Sequence, residues 1–341
     1  MWPGSARRAR SPSAPVLERS DDVIRVAVLD DYQRRASGWA DWSSLGDDVK
    51  VEFFAQPIAR EDLTSRLSGF DVLVLMRERT KFPREVLEPL TGLGLVVTTG
   101  MRNASLDVES LHERDVVVCG TEYDPGGPGV PSTVEVAWAL VFATAKRVTI
   151  EDRALREGRW QTDLPANLSG ANLGLLGLGR LGAAMARPAA TFGMDVIAWS
   201  QNLTAERAAE VGVTAVGRDE LFARADWLSI HLVLSARTRG LVGAAELSAM
   251  KRSAVLINTS RGPIVDEGAL VAALSGGEIA AAGLDVYDTE PLPADHPLTT
   301  LDNAVLLPHL GYVSEHAMRV MYSQVVQDIA AWRAGDPIRR I

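Results

Sequence analysis

The sequence predicts an α/β protein built on two parallel sheets. Three observations carry this. Short apolar runs alternate with amphipathic stretches, a Gly- and Pro-rich break at 124–129 interrupts the rhythm, and the alternation then resumes. The chain has 341 residues, more than the roughly 250–300 that one hydrophobic core fills, so two domains are expected.

Composition narrows the class. Hydrophobic residues make up 47% and charged residues 23%, as in an ordinary globular protein. Acidic residues number 44 against 35 basic, a formal charge of −9, which argues against a nucleic-acid partner because such proteins present a basic face. Cys119 is the single cysteine, so no disulfide framework and no CxxC zinc or redox motif exists. No apolar run is long enough for a transmembrane helix, so no membrane partner is expected. A cytoplasmic globular protein is the expectation from these counts.

Residues 1–22 read as a disordered tail. They carry Arg7, Arg8 and Arg10, several Ser and Pro, and no acid before Glu18, a look that a transit peptide shares. Strands are then expected at Val23–Leu29, Val49–Ala55, Asp71–Met76, Leu93–Thr99 and Val116–Gly120, with a helical segment near Tyr32. Five such strands suit a smaller, flavodoxin-like sheet. Pro131–Trp160 follows the break as one long, mostly apolar helical stretch. Six further strands are expected at Leu173–Leu176, Asp195–Trp199, Trp227–His231, Val255–Asn258, Ala282–Val286 and Val305–Leu307. The amphipathic helix at about Ser314–Ala334 has no strand after it, so it is expected to return to the first domain. That domain is then discontinuous, 23–130 with 311–341, and the second domain is 131–310.

Within the second domain, the stretch Leu173 to Gly182 is a strand running into GxGxxG and then a helix. Gly177 permits the tight turn, Gly179 lets a pyrophosphate approach the backbone, and Gly182 lets the helix pack close to the strand. The helix start adds free N–H groups and partial positive charge. This is the pattern of a dinucleotide-binding Rossmann domain. An acid is expected at the end of the following strand to hold the ribose of NAD. Ser200 stands there instead, followed by Gln201 and Asn202. No carboxylate repels a 2′-phosphate and no adjacent base attracts one, so NAD and NADP both stay open. Ser200 as a helix N-cap or turn residue is the competing assignment.

Three strand ends then carry candidate chemistry: Asn258–Gly262, Leu284–Pro291 and Pro308–Gly311. Oxidising a 2-hydroxy acid with a nicotinamide requires an anchor for the carboxylate and a base for the hydroxyl proton. Arg261 suits the first as a bidentate fork, and His309 suits the second. Glu290 suits a bond to the other imidazole nitrogen, fixing the tautomer and stabilising the charged ring. His112, His231, His296 and His316 are read as structural, and none builds a metal site.

On these motifs the chain resembles the D-isomer-specific 2-hydroxyacid dehydrogenase family, from about Val23 to Trp332. The resemblance is to its short phosphoglycerate-dehydrogenase-like and hydroxypyruvate/glyoxylate-reductase-like members. It implies Arg261 as substrate binder, Glu290 as partner of the base and His309 as acid/base. It further implies Arg180 and Leu181 on the pyrophosphate, Thr133 near the nicotinamide, and Thr259 and Asp285 lining the nicotinamide end. Arg77 matches an arginine that reaches substrate in phosphoglycerate-type members. The turn Gly100-Met101-Arg102-Asn103 matches one whose backbone N–H groups receive the substrate carboxylate. Arg102 is either a receiver for a second anionic group or a surface charge. A homodimer built on Pro131–Trp160 and its flanks is also implied, with a small-molecule substrate. The competing class on this scaffold is a dinucleotide-sensing, corepressor-like binding protein.

Overall fold

The computed structural model describes residues 23–122 and 130–341. The expected tail at 1–22 and the Gly/Pro break at 124–129 lie outside the described residues. The chain divides into two compact units, Met1–Asp124 with Glu315–Ile341, and Pro125–Ser314.

The first unit holds five parallel strands: β1 Ile24–Val28, β2 Val49–Phe53, β3 Val72–Leu75, β4 Leu95–Thr98 and β5 Val117–Gly120. Their order is β2-β1-β3-β4-β5, the flavodoxin-like arrangement. β3 (VLVL) and β4 (LVVT) are buried along their whole length, as strands covered on both faces must be. The helix Glu315–Arg333 belongs to this unit. Tyr322 on it is buried and stacks on Trp39 at 5.7 Å. The chain then ends as an extra antiparallel edge on β5: Cys119 pairs with Arg340, and the Ile341 N–H donates to the Val118 carbonyl. The helix expected near Tyr32 starts later, at Ala36–Trp39. Asp31 explains the delay, because its carboxylate accepts the backbone N–H groups of Arg35 and Ala36 at 3.0 and 3.2 Å.

The second unit holds seven parallel strands: β6 Asn172–Leu176, β7 Asp195–Trp199, β8 Thr214–Ala215, β9 Trp227–Ile230, β10 Val255–Asn258, β11 Ala281–Leu284 and β12 Ala304–Leu306. Their order is β12-β11-β10-β9-β6-β7-β8. Counted from β6, this is the 3-2-1-4-5-6 order of dinucleotide-binding sheets with one more strand at the far edge. The two-residue β8 was not expected. It is too short for any hydrophobic period and exists by pairing with β7, Ile197 opposite Thr214. Leu256 and Ile257 of β10 point into different cores, one on each face of the sheet.

The single helical stretch expected over Pro131–Trp160 is two helices, Ser132–Ala145 and Val148–Arg156. Arg147 breaks it in the left-handed region at φ 53°. The break separates two unlike surfaces. The first helix buries Val134, Ala137, Leu140 and Val141, whereas the second buries only Ala154. Gly283 on β11 lets the first helix close in, since a Cβ there would lie 2.9 Å from Leu140 Cβ.

Candidate active site

Ligands of an open parallel sheet bind beyond the carboxyl ends of its strands, where the strand order reverses. In the second unit that point lies between β6 and β9. Gly177 leaves β6 at φ +107°, and a Cβ there would meet the His231 carbonyl oxygen at 2.7 Å. A Cβ on Gly182 would meet the Gly177 oxygen at 2.2 Å. Gly179 differs, for a Cβ on it would meet no protein atom within 4 Å. Gly177 and Gly182 therefore serve the fold, and Gly179 leaves open space at the start of the helix Arg180–Thr191. Arg180 and Leu181 are the first residues of that helix, where N–H groups lack intrahelical acceptors. Ser200 follows β7 directly, and its carbonyl accepts from Leu203. It is a turn residue: the cap of the next helix is Thr204, whose side chain accepts from the Arg207 N–H.

The catalytic candidates assemble on three loops of this unit. His309 follows β12 with its backbone at φ 54°, in the left-handed region. Its Nδ1 lies 2.6 Å from Glu290 Oε2. The other oxygen of Glu290 accepts the Tyr287 N–H at 3.0 Å. Burial pushes the Glu290 carboxyl up, but the His309 bond and charge, the Tyr287 N–H and the Arg261 guanidinium outweigh it and hold it below the ordinary value. An ionised Glu290 accepts the Nδ1 proton, so Nε2 is the ring nitrogen that this bond does not use.

Arg261 sits on the loop after β10, and Gly262 brings that loop against the one carrying Glu290. A Cβ on Gly262 would lie 2.1 Å from the Tyr287 carbonyl carbon, so only glycine permits the approach. Asn258 braces the turn by donating to the Arg261 carbonyl at 3.0 Å. Thr259 is 6% exposed, and its Oγ1 is buried with no hydrogen-bond partner. An orphaned hydroxyl of this kind calls for a ligand or water.

Asp285 follows β11 directly and is fully buried. It accepts the Leu310 and Gly311 N–H groups at 2.7 and 2.8 Å, the two that follow His309. Burial raises its pKa against the pull of those bonds. Thr133 grips the same turn, donating its hydroxyl to the Gly311 carbonyl at 2.7 Å. Both residues thus hold the two residues that follow the histidine. Tyr287 is a participant the motif reading passed over; its hydroxyl donates to the Leu307 carbonyl at 2.9 Å and fixes the loop. The visible signal was an aromatic residue between Asp285 and Glu290. His231 stays outside this group; burial lowers its pKa to about 4, and Ser229 Oγ meets its Nε2 at 2.9 Å.

Arg77, Met101 and Arg102 belong to the first unit, beyond β3 and β4. Arg77 has φ 50°, and its Nη1 would be 3.0 Å from a Cβ on Gly100, so it lies against the 100–102 turn. Asn103 ties the two by donating to the Arg77 carbonyl at 2.7 Å. Met101 is 41% exposed. Among the described residues no group of three His, Cys, Asp or Glu side chains fits a metal ion, and no helix is long and apolar enough to cross a membrane.

Comparison with known proteins decides the family. Residues 138–311 match the NAD binding domain of the D-isomer specific 2-hydroxyacid dehydrogenases. The chain belongs to that family. It is 35% identical over 288 residues to a glyoxylate reductase of Korarchaeum cryptofilum, covering 82% of this chain and 85% of that one. It is 34% identical to a D-3-phosphoglycerate dehydrogenase of Archaeoglobus fulgidus over 93% of this chain, but spans only 58% of that longer protein. A solved phosphoglycerate oxidoreductase from Vibrio cholerae superposes with a TM-score of 0.85 at 32% identity, over 92% of this chain and 99% of that one. Membership makes this a chain of the NAD-dependent oxidoreductase class with a Rossmann-type second unit. The open space at Gly179 and the orphaned Thr259 hydroxyl fit such a dinucleotide. These relatives are named as dehydrogenases and reductases, and they lend no support to the corepressor-like alternative.

Proposed function

We propose that this chain interconverts a small D-2-hydroxy acid and its 2-keto acid, of the phosphoglycerate, hydroxypyruvate or glyoxylate type. The observation that carries the reading is the 2.6 Å bond between His309 Nδ1 and Glu290 Oε2, with Arg261 close enough to lower the glutamate's pKa. NAD(H), when bound at the Gly177–Gly182 turn, supplies or accepts the hydride at C2. In reduction, His309 Nε2 delivers the proton to the carbonyl oxygen, and Glu290 stabilises the imidazolium beforehand. In oxidation Nε2 takes that proton back. Arg261 holds the substrate carboxylate through its guanidinium fork. The resemblance adds Arg77, Met101 and Arg102 to substrate binding; they stand at the carboxyl end of a parallel sheet, the end that binds ligands.

The setting we propose is cytoplasmic, and the working form a homodimer. Support for a dimer comes from apolar side chains left in water on and after the second helix: Val148 at 51%, Leu155 at 58%, Trp160 at 76% and Leu164 at 89% exposure.

The test is oxidation of NADH and NADPH in the presence of glyoxylate and hydroxypyruvate. Turnover with at least one is expected, and His309→Ala lowers kcat by about 10²–10⁴-fold while dinucleotide binding survives. Absence of turnover with every 2-keto acid tried, or normal turnover in the variant, rejects the reading.

A further inference from the structure

A second imidazole–carboxylate pair ties down the chain on either side of Glu290. Glu267 opens the helix Glu267–Ser275, where the helix field favours an acid. Its Oε1 lies 3.0 Å from His296 Nε2, and its Oε2 accepts the Asp288 N–H at 3.2 Å. One carboxylate therefore clamps two points of the chain, 288 and 296, that flank Glu290. His296 cannot turn away, because its Nδ1 accepts the Leu298 N–H at 3.2 Å. That bond puts the ring proton on Nε2, facing Glu267. Both side chains are largely buried, at 17% and 22% exposure.

Between the clamped points Leu292 packs against the apolar core and the Ala294 carbonyl accepts from Thr299 Oγ1 at 3.3 Å, but no helix or strand runs through the segment. Regular structure ends at Leu284 with β11 and resumes with the short turn Pro297–Thr300. Loops of this kind keep catalytic geometry only where side chains tie them to rigid elements. At the near end Glu290 is tied through the Tyr287 N–H, next to the Asp288 N–H that Glu267 takes.

We propose that Glu267, with His296, is a positioning residue: it sets the Glu290 carboxylate at its bonding distance from His309. The proposal rests on reading Glu290 and His309 as the acid/base pair, but its main test does not depend on turnover.

Proton NMR of the full chain should show the His309 Nδ1 proton far downfield, as a short bond to a carboxylate requires. The resonance is assigned by its loss in Glu290→Gln. Glu267→Ala should move it upfield or broaden it away, while Glu267→Gln, which still accepts the Asp288 N–H, should move it less. Thermal melting and NADH binding check that both variants fold. With an active substrate, Glu267→Ala should lower kcat about tenfold to a hundredfold and leave the KM for NADH within twofold. In a Glu290→Gln background the same change should cost no further kcat. An unshifted resonance in folded Glu267→Ala, or an equal loss of kcat in both backgrounds, overturns the proposal. If no 2-keto acid turns over, the proposed function fails while the resonance still decides this inference.

Discussion

Gly262 and Tyr287 meet backbone to backbone, so closely that a Cβ on the glycine would lie 2.1 Å from the tyrosine carbonyl carbon and 2.3 Å from its oxygen. Their contact joins the Arg261 loop to the Glu290 loop. Gly262→Ala must push the two apart, since backbone atoms cannot turn aside as a flexible side chain can. The expected cost is about 1–3 kcal/mol of stability, with kcat down about a hundredfold from misplacement near 1 Å. Steady-state kinetics and thermal melting check this; wild-type kcat would show that the loops are independent.

Gly177 and Gly179 should separate fold from ligand. Alanine at 177 combines a positive φ with a 2.7 Å approach to the His231 oxygen, and should destabilise by about 1–3 kcal/mol. Alanine at 179 meets no protein atom within 4 Å. It should leave the melting temperature in place and raise the KM for NADH about tenfold with little change in kcat. Comparable melting losses in both variants would contradict the assignment of open space to the dinucleotide.

Ser200 follows β7 where an acid would hold the ribose hydroxyls. Ser200→Asp should lower kcat/KM for NADPH about a hundredfold relative to NADH, because a carboxylate there repels a 2′-phosphate. Measuring both coenzymes with wild type and variant settles whether the position reads the ribose. An unchanged ratio would remove Ser200 from the cofactor site.

Asp328 should make stability depend on pH. Burial pushes its carboxyl from an ordinary 3.8 up to about 7, against the pull of the Arg339 guanidinium bonded at 3.0 Å. Between those values the folded chain binds a proton that the unfolded chain releases. The group's contribution is therefore fully present below the unfolded value and is lost as pH rises towards 7. Comparing wild type with Asp328→Asn by denaturant melts, the difference should move in the variant's favour by on the order of 2 kcal/mol from about pH 5 to about pH 8. A difference that stays constant with pH would exclude the buried acid as its source.

Much of this molecule is readable residue by residue. The apolar runs of β3, β4 and β10 announce strands covered on both faces, and Gly177-x-Gly179-x-x-Gly182 announces the turn after β6, since side-chain period and backbone freedom are local properties. The units divide at 124 and 314, whereas the chain's rhythm alone put the divisions at 130 and 310. Other features are not local. Nothing near Arg147 in the sequence marks a left-handed break, which arises where a buried helix gives way to a surface one. β8 has too few residues to carry a period and exists only through its neighbour.

The candidate site divides the same way. Sequence alone determined which groups are present and in what order: Arg261, then Glu290, then His309, each after an apolar run. Tertiary structure decided how they are held. Asp285 and Thr133 grip the His309 turn, Tyr287 anchors Glu290, and Gly262 brings one loop onto the other. The reason is physical: a buried carboxylate or carbonyl must be satisfied by whichever donor the packed chain brings to it, and that donor is chosen by the fold, not by distance along the chain.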